Sequence, residues 1–321
     1  MLSRDQFVAA RSHDWRELDA LLAPSRELGR ESGPHIARVA SLYRSLCSDL
    51  MRARTSRFGP DLTGYLNALA GRAHAALYAA KPLRMPALVR LFTTDFPQTL
   101  RKHGRFFALS CALFVVPLII GLIGALGSDA FALAVLPAQT LEGMADAYSK
   151  GFEDGRGTGV DAGMAGFYVQ HNVGIAFRCF ATGILFGTGS LFFLVYNGLM
   201  IGTVTGYVAA AGHGANILTF MCGHAPFELT AIVVAGAAGL RMGYSLVDTQ
   251  GLTRTGSLRR EASDIATLVV GAAAMLVIAA FIEGFWSPSS IRAEVKWSFS
   301  AAMSVAVALY LAFAGRARGR A

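Results

Sequence analysis

The sequence predicts an all-α fold in which an N-terminal cytoplasmic helical bundle precedes a polytopic α-helical membrane domain. Of the 321 residues, 54% are hydrophobic and only 16% are charged, whereas soluble proteins carry about 25% charged residues. The charges are also segregated, and several windows long enough to cross a bilayer contain almost none. In the first hundred residues, by contrast, apolar side chains recur at helical spacing among many charges.

Residues 1–104 are predicted to form the cytoplasmic helical domain. The first helix covers SRDQFVAARSHDWRELDALLA, in which Ser3 and Gln6 have the spacing of a capping box. A second helix is expected over 34–57, and Asp61 can cap a third. A fourth, PALVRLFTTDFPQTLRKHG, leads into the membrane and ends in a basic cluster suited to headgroups.

The charge of this head points to a membrane surface. Residues 1–105 contain 17 Lys and Arg against 9 Asp and Glu, and an anionic bilayer explains this excess more simply than a nucleic acid does. The head contains no phosphate-binding loop, metal-ligand cluster or nucleophile–base spacing. We therefore expect either a self-packed bundle or a docking platform for a cytoplasmic partner, with no catalytic residue, no cofactor and no nucleic-acid partner.

The transmembrane domain is predicted at 105–314, followed by a basic tail at 315–321. The apolar stretch 168–211 is too long for one helix and short for two, and it can break at 187–190 or at 197–198. The first break gives nearly equal crossings and is preferred. Six spans result, near 106–127, 168–187, 190–211, 217–247, 264–286 and 297–314. The acidic outer loop at 128–167 is expected to include a surface helix at 133–147.

Loop charges predict the orientation of these spans. The head, the loop 248–263 and the tail are basic, and basic loops stay on the cytoplasmic side. Six crossings place all three in the cytoplasm, with both termini inside a bacterial cytoplasmic (inner) membrane. Trp286 and Trp297 flank the last outer loop, where interfacial aromatic residues belong.

An acid inside the fourth span raises the main question. Glu228 lies within GHAPFELTAIVVAGAAGLRMGY, and a carboxylate in hydrocarbon costs at least about 2.5 kcal/mol. At about 1.5 Å per residue, Arg178, Asn197 and Glu228 would all lie near the midplane. We predict that Glu228 pairs with Arg178 and that Asn197 joins their network; alternatively, each packs separately.

Three further polar residues belong to the predicted intramembrane set or its edges. Glu283, near the outer end of span five, either snorkels to the interface or contacts an ion or partner. Arg241 is expected to reach the headgroups. His224 and Glu228 are four residues apart on one helix face and could bind a metal, but no second ligand pair accompanies them, so no metal site is predicted.

Glycines at regular spacing predict close helix packing. Gly198, Gly202 and Gly206 recur every four residues, and Gly239 and Gly243 do the same after Gly236. Small residues at this spacing let helix backbones approach closely in lipid. These faces could join helices of one chain or two chains of a homodimer.

Several stretches resemble the stage II sporulation protein M family. They include FVAARSHDWRELDALL, SLYRSLCSDLMRAR, NVGIAFRCFATGILFGTGS, YNGLMIGTVTGY, GHAPFELTAIVVAGAAGLRMG and IAAFIEGFWSP. The family pattern is Pro-His-Gly-x-x-Glu-Leu, and here the corresponding run is His224-Ala225-Pro226-Phe227-Glu228-Leu229. The His-Gly that follows Pro in the family is thus replaced by Phe227, which puts any role of that histidine in doubt.

The resemblance implies an integral membrane protein that assembles partners. In spore formers the family member acts in engulfment and helps assemble a peptidoglycan-degrading complex with the stage II sporulation proteins D and P. Relatives in other bacteria are often encoded near MoxR-type ATPases and von Willebrand factor A domain proteins. The expected function is therefore a non-enzymatic scaffold that contacts lipid and protein partners in the envelope or cytoplasm. The alternative is a small-solute or ion transporter or channel that uses Arg178, Asn197 and Glu228.

Overall fold

The computed structural model of the chain describes residues 3–22, 33–78, 85–150 and 158–316. All regular elements in these ranges are helical, as the sequence predicts. The chain divides into two compact units, residues 1–83 and 84–321. The predicted boundary at 104 marks entry into the membrane, and the segment 85–102 that precedes it belongs to the second compact unit. Parts of the predicted acidic loop (151–157) and of the basic tail (317–321) lie outside the described residues.

The first unit is a three-helix bundle with its own core, formed by α1 (Arg4–Leu21), α2 (Gly33–Thr55) and α3 (Pro60–Tyr78). The predicted capping box at the start of α1 is confirmed, because the Gln6 amide donates to Ser3 Oγ and the Ser3 amide donates to Gln6 Oε1. The core consists of twelve buried side chains, including Phe7, Trp15 and Leu46. One buried acid, Asp49, accepts hydrogen bonds from Trp15 Nε1 and Arg11 Nε.

The second unit begins with a helical entry segment and one long helix. α4 (Met85–Arg90), a π-helical turn (Leu91–Asp95) and α5 (Phe96–Lys102) replace the single predicted helix. α6 (Gly104–Gly127) corresponds to the first predicted span. Arg101 of α5 donates to the carbonyls of Leu311 and Ala314 at 2.6 Å each and so satisfies acceptors that the end of the last helix leaves free.

The predicted loop after α6 is largely helical. α7 (Asp129–Val135) and α8 (Ala138–Ser149) replace the single predicted surface helix at 133–147. The chain is extended at Leu136 because a residue before proline disfavours helical backbone. α9 (Thr158–Ala181) begins ten residues before the predicted second span.

The chain turns at Gly187, within the preferred break 187–190, where φ is +86° and a side chain would be strained. α10 (Thr188–Val208) then continues through a π-helical turn into α11 (Gly214–Cys222), with a kink at Gly212, where φ is +90°. The predicted fourth span, 217–247, is therefore wrong at its start: its first residues belong to α11, and α12 begins after a turn at His224.

The remaining helices are α12 (Ala225–Val247), α13 (Arg254–Phe281, continued by a π-helical turn to Trp286) and α14 (Ala293–Phe313). α13 absorbs the second half of the predicted loop 248–263. Five of the described helices are long and apolar enough to cross a membrane: Gly104–Gly127, Thr188–Cys222, Ala225–Val247, Arg254–Trp286 and Ala293–Phe313. The sequence predicts six spans, and α9, which overlaps the predicted second one, is not among these five.

Glycines bring α6 and α10 into backbone contact within one chain. A Cβ on Gly198, Gly202 or Gly206 would overlap, in turn, the carbonyl oxygens of Phe114, Leu118 and Leu122. Both series advance by four residues, so the glycine face of α10 fits one row of α6 backbone. Gly236, Gly239 and Gly243 of α12 likewise face atoms of Leu194, Ser190 and Gly187. Of the two options left by the sequence, the structure places all six glycines at contacts inside a single chain.

Candidate functional site

α12 is the central helix of the second unit, and its buried length positions the candidate site. Every residue from Ala231 to Gly243 is buried, and all of them except Arg241 are apolar, as expected for a helix enclosed by others. The turn at 223–224 ends α11, and Pro226 occupies the first turn of α12, where its missing amide hydrogen costs nothing. His224 and Glu228 therefore lie at the beginning of a helix that other helices surround.

At this end of α12, three potential ligands converge from two elements. One side-chain atom from each of His224, Glu228 and Glu283 lies within 4.8 Å of the other two. His224 Nε2 is 3.7 Å from Glu228 Oε2, which is beyond hydrogen-bond distance. His224 and Glu283 are 5% and 8% exposed, and the Glu228 side chain is 14% exposed. We call these three residues the His224 cluster.

Neighbouring polar groups orient the cluster. Ser287 Oγ lies 3.0 Å from His224 Nδ1, so the other ring nitrogen, Nε2, is turned toward Glu228. Asn172 Nδ2 donates to Glu283 Oε2 at 3.1 Å. Lys296 is buried nearby, but its ammonium group donates to the carbonyls of Ser287 and Ser289 at 2.7 Å each. The ammonium thus binds the backbone that carries Ser287.

The predicted pairing of Glu228 with Arg178 is not what the structure contains. Arg178 is exposed, and no ion pair joins it to Glu228 among the described residues. Among the α9 residues whose side chains are described, the buried ones are Asn172, Ala176 and Cys179, spaced four and three apart. Arg178 lies beside this stripe. Glu228 lies in the first turn of α12 and not near the middle of a span. Position along a helix also carries no information on which face a residue occupies.

Asn197 also lies apart from the cluster. It is buried on α10, and its Nδ2 donates to the Phe193 carbonyl one turn earlier at 2.6 Å. The neighbouring Gly198 packs against α6. Of the five predicted network residues, the structure therefore brings together His224, Glu228 and Glu283 and separates Arg178 and Asn197 from them. Glu283 is buried and does not snorkel.

A second polar group lies at the opposite end of α12. Arg241 is buried and forms an ion pair with Glu261 of α13, with Nη2 and Oε2 2.7 Å apart. Its guanidinium also lies over the Phe106 ring. The expectation that Arg241 reaches the headgroups is thus wrong, because an acid on α13 pairs with it inside the bundle. Nearby, Asp264 binds Lys102 and His103 at 2.6 and 2.9 Å.

The two polar groups differ in charge. The Arg241 group pairs each described acid with at least one basic side chain. In the His224 cluster, no arginine or lysine pairs with Glu228 among the described residues, and a second carboxylate is within 4.8 Å. Like charges this close in a low-dielectric environment repel strongly, and a shared proton or a bound cation would relieve that repulsion.

Sequence reasoning missed Asn172, Ser287 and Lys296 around the cluster and Glu261 at the other end. A signal exists for Asn172, since it precedes Ala176 and Cys179 by four and seven residues in an otherwise apolar run. Ser287 contacts His224 from the turn that follows α13, and Lys296 binds the backbone of that turn. Residue spacing within a helix cannot predict contacts made by a turn.

Most of the second unit, which we also call the membrane unit, matches a known protein family. A family model described as Stage II sporulation protein M matches residues 110–288, more than half of the chain. The chain belongs to the stage II sporulation protein M (SpoIIM) family. The matched SpoIIM region contains Asn172, the whole His224 cluster and Ser287, whereas Lys296 lies just beyond it.

Other comparisons are less informative about function. A model described as a domain of unknown function (DUF8413) matches residues 5–79, which correspond to the three-helix unit. An uncharacterized protein of Methanocaldococcus jannaschii is 26% identical over 125 residues, covering 37% of this chain and 68% of that protein. No solved structure matches the chain.

Proposed function

We propose that this SpoIIM-family protein is a membrane scaffold that recruits partners to a bacterial cytoplasmic membrane. One observation carries the proposal: a helical bundle with its own hydrophobic core is joined to a separate unit that contains five helices long and apolar enough to cross a membrane, among the described residues. In this proposal, the second unit anchors the protein in lipid and the first unit presents a protein-binding surface. With α9 counted as a sixth crossing, both termini and the segment 248–263, which contains Arg254, Arg259 and Arg260, face the cytoplasm, because basic segments favour that side.

The exposed side of α2 is the surface that we assign to partner binding. Arg44, Met51 and Arg52 are exposed and lie on one face, at spacings of seven and eight residues. Met51 is 60% exposed, and neither arginine forms an ion pair within the described residues. Elsewhere on the unit, Arg38 and Arg72 are paired with Glu17 and Asp19. A basic face with an apolar centre suits an acidic protein partner, such as a cytoplasmic ATPase or its adaptor.

Site-specific photo-crosslinking in the native host tests this assignment. A photoreactive residue at position 51 of the full-length chain is expected to form an adduct with a partner protein, and Arg44→Glu combined with Arg52→Glu should remove it. Ala10, exposed on α1, is the matched control position and should not give the same adduct. An adduct that survives the charge reversal, or the absence of any protein adduct at position 51, would contradict the proposal.

The second candidate function is passage of a small solute or ion. The His224 cluster favours it, since intramembrane acids often mark ion pathways. Cation flux into proteoliposomes that is lost in Glu228→Gln but retained in Arg178→Gln would favour transport over the scaffold.

A further inference from the structure

We infer that the His224 cluster binds a divalent transition-metal ion, with His224, Glu228 and Glu283 as ligands. The inference concerns the membrane unit and is independent of whether the first unit recruits a partner. It departs from the sequence-based expectation of no metal, because the structure supplies the third ligand, which comes from the turn after α13 and could not be paired with α12 by spacing.

The three ligand atoms are nearly as close to one another as the ligands of a bound metal ion are. Metal–nitrogen and metal–oxygen distances near 2.1 Å place any two ligand atoms of one ion at most about 4.2 Å apart. The three atoms already lie within 4.8 Å of one another, so small side-chain rotations complete the site. Glutamates have the rotational freedom for such a change, while the backbone positions of α12 and α13 are fixed by burial.

The groups around the ligands have the arrangement that metal sites require. A ligating histidine usually forms a hydrogen bond through its other ring nitrogen, and that bond fixes the ring orientation. Here Ser287 contacts His224 Nδ1, while Nε2 lies 3.7 Å from Glu228 Oε2. Asn172 performs the corresponding role for Glu283. The oriented imidazole, with a ring nitrogen close to both carboxylates, is the observation that distinguishes this site from a pair of acids sharing a proton.

The ligand chemistry selects the class of ion. One imidazole and two carboxylates suit Mn²⁺, Fe²⁺, Co²⁺ or Zn²⁺, whereas Mg²⁺ and Ca²⁺ prefer oxygen ligands throughout. Two carboxylates and a neutral imidazole carry a net charge of −2, which a divalent cation neutralises. The bound ion would thereby remove the repulsion between Glu228 and Glu283 and link the start of α12 to the end of α13.

Co²⁺ titration of the purified, untagged, metal-free full chain in detergent tests the site. The wild-type chain is expected to bind one Co²⁺ with a visible absorption band, which Zn²⁺ displaces and excess Mg²⁺ does not. Glu228→Gln and Glu283→Gln should each weaken binding at least tenfold. Glu142→Gln removes an exposed acid of α8 and should bind as the wild type does.

A further variant keeps the test decisive if ligand substitutions disturb folding. Asn172→Ala leaves all three ligands in place and should weaken Co²⁺ binding by about tenfold to 100-fold, as loss of an outer hydrogen bond to a ligand does. Metal should also raise the melting temperature of the wild type and not that of Glu283→Gln. Absence of stoichiometric binding by the wild type would overturn the inference. Equal affinity in the wild type, Glu228→Gln, Glu283→Gln and Asn172→Ala would also overturn it.

Discussion

Replacement of Gly202 by leucine is expected to abolish the folded membrane unit. A Cβ at this position would overlap the Leu118 carbonyl and come within 2.9 Å of the Leu122 amide nitrogen. Both atoms belong to the α6 backbone, which cannot rotate away as a side chain can. Overpacking commonly costs about 1–3 kcal/mol where side chains can adjust, and a larger cost is expected here because two helices must separate.

Gly127→Leu provides the matched control for Gly202→Leu. Gly127 ends α6, and a Cβ there would meet no atom within 4 Å. In size-exclusion chromatography after detergent extraction, Gly127→Leu should elute as the wild type does, whereas Gly202→Leu should aggregate or be degraded. A monodisperse Gly202→Leu variant with wild-type melting behaviour would contradict the close contact of α6 and α10.

Arg241→Ala is expected to cause the second large loss of stability. Without the Arg241 guanidinium, the buried Glu261 carboxylate keeps one basic partner among the described residues. That partner is Arg260, which lies 3.2 Å away and is more exposed than Arg241. Breaking a buried ion pair by removing one partner typically costs about 3–5 kcal/mol. Unfolding in mixed micelles, followed by circular dichroism, measures this loss.

The double variant Arg241→Met with Glu261→Leu distinguishes an unpaired charge from lost packing. Apolar residues of similar size can replace a buried ion pair at little cost, so the double variant should be more stable than Arg241→Ala. If instead it is no more stable than the single variant, the effect of Arg241→Ala comes from packing against Phe106 and the account of the ion pair is wrong.

The sequence predicts the helices better than it predicts their contacts. Apolar windows and helical spacing predict the all-α architecture, and the Gly-Thr-Gly-Ser stretch at 187–190 predicts the turn before α10. Both predictions succeed because these signals are local. The helix starts at Arg254 and Ala225 escaped prediction, since charges at 254–261 suggest a loop and the apolar run before His224 conceals a break. Whether a polar residue faces a neighbour depends on helix rotation, which composition does not specify.

The candidate site illustrates the same limit. The sequence singles out His224, Glu228 and Glu283 as unusual, because charges are rare in apolar windows. It then pairs Glu228 with the only arginine at similar depth in span two. The structure instead turns Asn172 toward the acids and leaves Arg178 exposed. The identity of the polar residues was therefore accessible from sequence, and their partners were not.

A pair of double-mutant cycles tests this arrangement most directly. Stability is measured in metal-free micelles for Glu228→Gln, Glu283→Gln and Arg178→Gln, and for the combinations of Glu228→Gln with each of the others. Residues in contact show coupling of about 0.5–3 kcal/mol, whereas independent sites add within about 0.5 kcal/mol. We expect coupling between Glu228 and Glu283, because either substitution alone relieves their repulsion, and additivity between Glu228 and Arg178. Additivity in the first cycle with strong coupling in the second would contradict the account.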